Sequence, residues 1–383
     1  PNFGYKHFLK LFLRKGLENL DLSAVRLILN GAEPISWDLC EEFLQALAPF
    51  GLKRNTMYPV YGLAEATVGV ALPVPGDEMS RISVDRHKLR IGHPYEELSP
   101  DDPDAVSFVK VGRAIRDCEI RIVDDEHVRV SDGVIGNIQL QGGSVTSGLY
   151  VDDVGEPLFT ADHWLRTGDC GVIVDGDLVI TGRAKDIVII NGQNYYPHDI
   201  EGVIAQLDDL DLGKVVVAGV GGSGGASEEL LVFILFRQDN ESFRGLADRV
   251  RTIVGEHIGL EVDHVIPVNR IPKTTSGKVQ RVHLATSYLD GEYSAVVASL
   301  GSKVEVPADD DEDPLVREIE LICREFSKER LIGPDDNLFE VGVSSLTLTE
   351  IVLAIEEKHP GKLDISDLFD YPTIREIADF MRR

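Results

Sequence analysis

The apolar positions of this chain fall into short runs and helical stripes, separated by turn-forming residues. Ile187 to Ile190 is a brief apolar run closed by Asn191-Gly192, a strong turn signal, and reads as a strand. Pro197 then suits a first helical position, and Asp199 and Glu201 suit a first turn, at the positive end of the helix dipole. Ile200, Val203, Ile204 and Leu207 follow at i, i+3, i+4 and i+7, a single apolar face. The segment predicts a strand, a turn and a helix of an α/β domain.

The same reading extends along the chain. From Asn2 to about Val174 it predicts α/β structure finishing in short strands. Val25 to Leu29 is a buried-strand candidate, followed by the turn Asn30-Gly31-Ala32-Glu33-Pro34. Ser36 caps a predicted helix running to about Phe50, with Leu39, Phe43, Leu44 and Leu47 on one face. Residues 73–110 are rich in Pro, Asp and Gly and predict an irregular insertion. Glu119 to Val123 alternates as a strand, Gly136 to Gly143 reads as another, and Gly171 to Ile180 predicts a hairpin about Asp175-Gly176. Further strands are expected at Val215–Val220 and Leu230–Phe236. The glycine-rich stretch Gly221 to Gly225 between them joins two strands without a Gly-Lys-Ser/Thr ending, so it predicts a hairpin tip and no phosphate loop. Near the end, Leu315, Ile319, Ile322 and Phe326 mark one helix face, Leu348, Ile351, Val352 and Ile355 another, and Thr373 caps a last short helix.

Charge changes the picture. The chain has 383 residues, 43% of them hydrophobic, enough for two or three domains with substantial cores. Its formal charge of −27 argues against nucleic-acid or anionic-membrane partners, which need basic surface. Residues 305–383 hold 21 Asp or Glu against 9 Lys or Arg, a net of −12, so the tail is the denser acidic unit. Asp309-Asp310-Asp311-Glu312 ends a charged linker over residues 301–312. Cys40, Cys118, Cys170 and Cys323 lack metal-type spacing and fit a reducing cytosol. No run reaches the roughly 18 apolar residues of a membrane span, so no stable membrane insertion and a cytoplasmic location are expected. The chain opens on Pro1 with a predicted helix at once, and is expected to be a piece of a larger protein.

Several short motifs carry candidate chemistry. Tyr61-Gly62-Leu63-Ala64-Glu65-Ala66-Thr67 offers a flat ring for stacking, a glycine for close backbone approach, and in Glu65 a hard oxygen ligand suited to Mg²⁺. Trp164-Leu165-Arg166-Thr167-Gly168-Asp169 places a carboxylate just past a glycine turn, where it could accept both hydroxyls of a ribose. An Asp in a tight turn is also ordinary turn chemistry. Ile271 to Arg281 contains Gly277-Lys278 but is no Walker loop, because no glycine stands five residues before Gly277 and Val279 replaces the required hydroxyl. A single ammonium on such a loop can bridge a carboxylate and an α-phosphate. Ser345, in Asn337 to Leu346, stands at a predicted helix start, where serine commonly caps.

Together these motifs resemble the adenylate-forming ligases, and most closely the fatty acyl-AMP ligases. The resemblance rests on Gly182-Arg183-Ala184-Lys185-Asp186, Asn194 to Glu201, Tyr61 to Thr67, Arg166 to Asp169, and Pro272 to Arg281; Val84 to Leu89 is a weaker match to the insertion that distinguishes that family. Asn137 replaces a usual glutamate in its Gly-Glu-Ile strand, and no catalytic role is inferred there. Residues 313–383 resemble an acyl or peptidyl carrier protein, with Ser344 in place of the usual aspartate before the attachment serine. The implied fold is α/β, part of a large adenylation subdomain over 1–183, then a small mobile α+β subdomain over 184–300, a linker at 301–312 and a four-helix carrier over 313–383.

The resemblance implies ATP, Mg²⁺ and 4′-phosphopantetheine as cofactors. It places adenine against Gly31, Ala32, Glu33, Pro34, Tyr61 and Gly62, ribose on Asp169 and Arg183, Mg²⁺ on Glu65, the hinge at Lys185, the catalytic lysine at Lys278, and the pantetheine arm on Ser345. The implied activity is conversion of a fatty or other carboxylic acid to acyl-AMP and its transfer to the arm, in a loading unit of lipopeptide or polyketide assembly. The implied partners are the acid, a phosphopantetheinyl transferase and a downstream condensing domain or enzyme. No Gly/Ser/Thr-rich loop for the β- and γ-phosphates is found, so the chain alone is expected to activate substrate poorly. Two alternatives stay open: an amino-acid or aryl-acid adenylation domain, and a carrier or docking module attached to an inactive ligase remnant.

Overall fold

The computed structural model describes residues 1–15, 20–148, 157–207, 210, 213–221, 228–238, 240–274, 278–301, 313–326, 332–338 and 345–382. They form two compact units, Pro1–Asp199 and Ile200–Arg383.

In the first unit, α1 (Asn2–Lys15) leads to β1 (Ile28–Asn30), α2 (Trp37–Leu47) and β2 (Met57–Pro59). β1 and β2 pair in parallel, Ile28 opposite Met57. The Ser36 hydroxyl caps α2 by accepting from the Leu39 amide at 3.3 Å, and the expected face of Leu39, Phe43, Leu44 and Leu47 is buried. The expected strand at Val25 to Leu29 is shorter and displaced: only Ile28–Asn30 pairs, and Leu29 is 60% exposed. A run of five apolar or long side chains therefore overstated burial, because pairing starts only where β2 lies alongside.

β3 (Ala71–Leu72) pairs with β6 (Arg113–Ala114), and between them β4 (Arg81–Asp85) pairs with β5 (Ala105–Val109) in antiparallel register. The supposed irregular insertion at 73–110 thus contains a strand pair, with Ile82, Val84 and Phe108 buried against Val172, Val179 and Tyr196. Its Pro, Asp and Gly content belongs to the connections. Val84 to Leu89, within that supposed irregular insertion, ends β4 and enters a tight turn capped by Asp85 on the His87 amide at 2.9 Å.

The main sheet is antiparallel, in the order β10 (Asp177–Arg183), β9 (Leu165–Val174), β8 (Gly136–Gly142) and β7 (Cys118–Val123). Leu140 and Leu165 are fully buried and pair across it; each such burial stabilises by about 1.5–3 kcal/mol. The Asp175-Gly176 hairpin joins β9 to β10 as expected. β11 (Val188–Ile190) turns at Asn191-Gly192 into β12 (Gln193–Tyr195), a second strand that the pattern did not reveal because three polar or aromatic residues carry no period. α3 (Pro197–Ile204) follows, starting at Pro197.

Arg86 and Asp199 form a largely buried pair, Nη1 donating to Oδ2 at 3.0 Å, with Arg86 Nη2 also donating to the Ala105 carbonyl at 3.1 Å. Burial pushes the Asp199 carboxyl up to about 6, against the opposing pull of Arg86 and His87. The folded chain therefore holds this proton where the unfolded chain has released it. That contribution is complete below the ordinary aspartate pKa and is lost as pH rises through about 6. Relative to wild type, Asp199→Asn is expected to gain on the order of 2–3 kcal/mol of stability between about pH 4 and pH 7. Denaturant titrations of both proteins across that range check it; a stability difference that does not move with pH would contradict it.

In the second unit, β13 (Val215–Val220) pairs antiparallel with β14 (Glu229–Leu235), as expected. α4 (Asn240–Ile258) precedes β15 (His264–Val268), which pairs in parallel with β14. Ile200, Val203 and Ile204 of α3 are buried. α5 (Arg281–Leu289) and α6 (Ser294–Gly301) cover the sheet, Leu284 packing with Val216, Phe233 and Ile266. Beyond the linker, α7 (Pro314–Phe326), α8 (Ser345–Lys358), α9 (Asp367–Asp370) and α10 (Ile374–Met381) enclose their own core. Ile319, Ile322, Leu348, Ile351 and Ile355 fill it, as their spacing predicts. Thr373 starts α10 with a reciprocal capping box to Glu376. The Gly222–Gly225 tip and most of the linker lie outside the described residues. No helix among those described is long and apolar enough to cross a membrane.

Candidate functional site

Two candidate loops leave the carboxyl ends of the paired strands β1 and β2. The Val60 amide donates to the Asn30 carbonyl at 2.8 Å, so Gly31 to Pro34 and Tyr61 to Glu65 emerge side by side. Ligands of parallel α/β sheets bind at this end of the strands. Ala32 stands at φ 72°, a costly conformation for a residue with a Cβ. The turn is tied to the start of α1: Asn2 donates to the Pro34 carbonyl at 2.6 Å, and the Glu33 carboxylate accepts from the Phe3 amide at 3.4 Å.

At Gly62 a Cβ would lie 1.6 Å from the Val68 carbonyl oxygen, so only glycine fits. The chain then makes a short helical turn at Ala64–Ala66 and a strained γ-turn at Thr67, φ 69° and ψ −66°, with the Val68 amide on the Ala66 carbonyl at 2.9 Å. Glu65, half-buried, is held at its backbone by the Thr146 amide at 2.7 Å. Among the described residues no three acidic, His or Cys side chains cluster for a metal. A single carboxylate fits Mg²⁺, which keeps waters and takes its other oxygens from substrate phosphates.

The tightest constellation gathers on Asp169, which is 7% exposed and lies within β9. The Tyr61 hydroxyl donates to Oδ2 at 2.6 Å and Arg183 Nε donates to Oδ1 at 3.1 Å. Arg183 faces Asp169 because the two are directly opposed across β9 and β10, after a register shift between Ile180 and Gly182. Burial first, and then the Asp169 charge, pushes the Tyr61 phenol well above its ordinary value, so it stays a donor. Gly168, at φ 73°, makes the bend before Asp169. Sequence reasoning passed over Thr167, whose hydroxyl accepts from the Asp169 amide at 3.0 Å and donates to the Ile138 carbonyl at 2.8 Å. A threonine two residues before an aspartate is the available signal, since its hydroxyl reaches that amide. The neighbouring Cys170 thiol is pushed up to about 12 by burial, which leaves it unreactive.

The structure therefore brings Tyr61, Asp169 and Arg183 together, and sets Gly31 to Pro34 beside the Tyr61–Gly62 turn. Lys185 is exposed in a short helical turn, Ala184–Asp186, of the first unit; the boundary between the two units falls further on, between Asp199 and Ile200.

In the second unit, Lys278 is exposed on a loop closed by the Thr274 amide on its carbonyl at 2.8 Å and by its own amide on the Thr274 hydroxyl at 3.1 Å. Residues 275–277 of that motif lie outside the described residues. Three residues on, Arg281 opens α5 and donates Nη1 to both the Glu201 carboxylate and the Val217 carbonyl. Glu201 also accepts from the Val217 amide at 2.8 Å, so the loop's anchor is locked to α3 and β13. Ser345 is the first residue of α8. The preceding Phe339 to Ser344, and the Ser345 side chain, lie outside the described residues. Thr347, 4% exposed, donates to the Glu261 carboxylate at 3.2 Å.

Residues 4–150 match the AMP-binding enzyme family, and residues 319–381 match the phosphopantetheine attachment site family. The 4-hydroxyphenylalkanoate adenylyltransferase of Mycobacterium marinum is 34% identical over 310 residues, covering 75% of this chain and 49% of that protein. The long-chain-fatty-acid–AMP ligase FadD32 of Mycolicibacterium smegmatis is 31% identical over 339 residues, covering 77% and 54%. The chain thus spans about half the length of the curated relatives it matches. Among solved structures, the McyG A-PCP protein complexed with phenylalanyl-adenylate superposes with a TM-score of 0.74 at 26% identity, over 100% of this chain and 58% of that one. A fatty acyl-adenylate ligase from a study of the E. coli and L. pneumophila enzymes gives 0.68 at 30% identity, over 77% and 53%. The architecture is accordingly part of an adenylation domain followed by a carrier domain. The cofactors of the two matched families are ATP with Mg²⁺, and 4′-phosphopantetheine.

Proposed function

We propose, from a chain that joins a segment of the AMP-binding enzyme family to a phosphopantetheine attachment domain, that it is the later part of a fatty acyl-AMP ligase and its carrier. In this reading a fatty acid and ATP give acyl-AMP and pyrophosphate, and the acyl group passes to the carrier as the loading step of lipopeptide or polyketide assembly. The observation that carries it is the convergence of Tyr61, Arg183 and Thr167 on Asp169, a carboxylate built to take the two hydroxyls of a ribose. Gly31 to Pro34 and the backbone at Tyr61-Gly62 line the adenine, without the ring stacking expected of Tyr61, whose ring is buried. Lys278 supplies the ammonium that offsets negative charge as the carboxylate attacks the α-phosphorus and pyrophosphate leaves. Mg²⁺ on Glu65, when bound, neutralises phosphate charge. The arm on Ser345, installed by a phosphopantetheinyl transferase, supplies the thiol that takes the acyl group and releases AMP. Lys185 is the proposed pivot between the two steps, and residues 1–183, 184–300 and 313–383 the proposed domains.

An amino-acid or aryl-acid substrate is the second reading, and it is supported by the first-named relative and by the phenylalanyl-adenylate complex. Acid-dependent ATP–pyrophosphate exchange, in a polypeptide extended to the relatives' full length, separates them. Medium- and long-chain fatty acids are expected to drive exchange at least about tenfold faster than phenylalanine or 4-hydroxyphenylalkanoates, a difference of about 1.4 kcal/mol in transition-state binding. The reverse order would replace the fatty-acid reading.

A further inference from the structure

The phenol of Tyr61 has a role that its ring does not explain. Its ring is packed among Val70, Val111, Ile138 and Leu165 and is only 8% exposed, so little of either face is open for stacking. Its backbone is pinned: the amide donates to the Ala71 carbonyl at 3.1 Å, and the carbonyl accepts from the Val70 amide at 2.9 Å. A residue fixed at both ends presents its hydroxyl at one place, and that place is Oδ2 of Asp169, 108 positions along the chain. The other carboxylate oxygen is held by Arg183 from the adjacent strand, and the Asp169 amide is held by Thr167. Two groups from elsewhere in the sequence thus fix the carboxylate in position and in rotation, while Thr167, on the same strand, holds the backbone that bears it.

We propose that Tyr61 is a positioning residue: its hydroxyl holds the Asp169 carboxylate in the rotation that accepts the 2′- and 3′-hydroxyls of an adenine nucleotide. The inference rests on the reading of Asp169 as the ribose acceptor and adds to it the group that pre-organises that acceptor. Ordering the carboxylate before binding removes a rotational cost that the nucleotide would otherwise carry. The alternative role, satisfying a buried phenol and nothing more, would alter stability without distinguishing one nucleotide from another.

The test compares AMP with 2′-deoxy-AMP by saturation-transfer NMR, which reads millimolar affinities, on the full chain as wild type, Tyr61→Phe and Asp169→Asn. Tyr61→Phe keeps the ring and removes only the hydroxyl. It is expected to weaken AMP binding about 5- to 10-fold, the scale of one hydrogen bond to a charged group, and to change 2′-deoxy-AMP binding by about twofold or less. Asp169→Asn is expected to bind the two nucleotides nearly alike. Tyr61→Phe with the wild-type preference for AMP would overturn the positioning role and leave the ribose reading standing. Asp169→Asn with the wild-type preference would overturn the ribose reading itself, and so would an absence of AMP binding by the wild-type chain. Because either variant could fold poorly, a second measurement uses the wild type with carbon-13 at the tyrosine Cζ. Saturating AMP is expected to move the Tyr61 signal more than 2′-deoxy-AMP does; equal responses would overturn the proposal.

Discussion

Replacing Lys278 by alanine, in a polypeptide extended to the full length of the curated relatives, is expected to slow acyl-adenylate formation by about 10²- to 10³-fold. Transfer of the acyl group from supplied acyl-AMP to the carrier thiol is expected to continue. The separation follows from charge. Adenylation brings a carboxylate against a triphosphate, so its transition state concentrates negative charge that one ammonium can offset. Thiol attack on the acyl-AMP places its developing charge on the carbonyl oxygen and the departing AMP. Lys278 is exposed and its loop is closed by backbone bonds through Thr274, so truncating the side chain leaves the loop's own hydrogen bonds in place. Rapid-quench assays of the two half-reactions check this, and equal loss of both would refute the role given to Lys278.

Arg281→Ala is expected to have the largest effect on stability. Arg281 and Glu201 are each about 15% exposed at the side chain, at 16% and 15%, and share a contact with the edge of β13 at Val217. Removing the guanidinium leaves Glu201 largely buried without its countercharge, a change that costs roughly 3–5 kcal/mol. Arg281→Met with Glu201→Met in the same chain is expected to recover only part of it: two apolar side chains leave no charge stranded, but the buried Val217 amide and carbonyl lose the partners that Glu201 and Arg281 supplied. Chemical denaturation followed by a probe in the second unit measures both. A loss below about 1 kcal/mol for Arg281→Ala would show the pair to behave as an ordinary surface salt bridge.

How far the chain could be read in advance differed by element. The apolar face of α2, the β13 and β14 strands and the carrier helices were legible, because each buries one face with the period of its secondary structure. The hairpin at Asp175-Gly176 and the helix start at Pro197 were legible from turn and cap chemistry. The β4–β5 pair was not, since its strands are five residues each and are set among Pro, Asp and Gly connections. β15 was equally hidden, its five residues interrupted by Pro267. In the candidate site, Asp169, Arg183 and Tyr61 could each be picked out from a motif. What no motif states is that all three meet, because the meeting depends on the β9–β10 register shift and on the bridge that fixes Tyr61 to Ala71. Long-range contacts of that kind follow from packing, and local pattern carries no trace of them.

The central claim joins an adenylating segment to a carrier that is loaded at Ser345, and intact mass reads it most directly. The chain, and its Ser345→Ala variant, are incubated with a promiscuous phosphopantetheinyl transferase and CoA, then with ATP, Mg²⁺ and a mixture of fatty and amino acids. The account predicts that the wild type gains one phosphopantetheine arm and the variant none. It further predicts that acylation of the arm, by a fatty acid, becomes efficient only when the polypeptide is extended to the relatives' full length. A wild-type chain that takes no arm, or an arm that persists in Ser345→Ala, would contradict it.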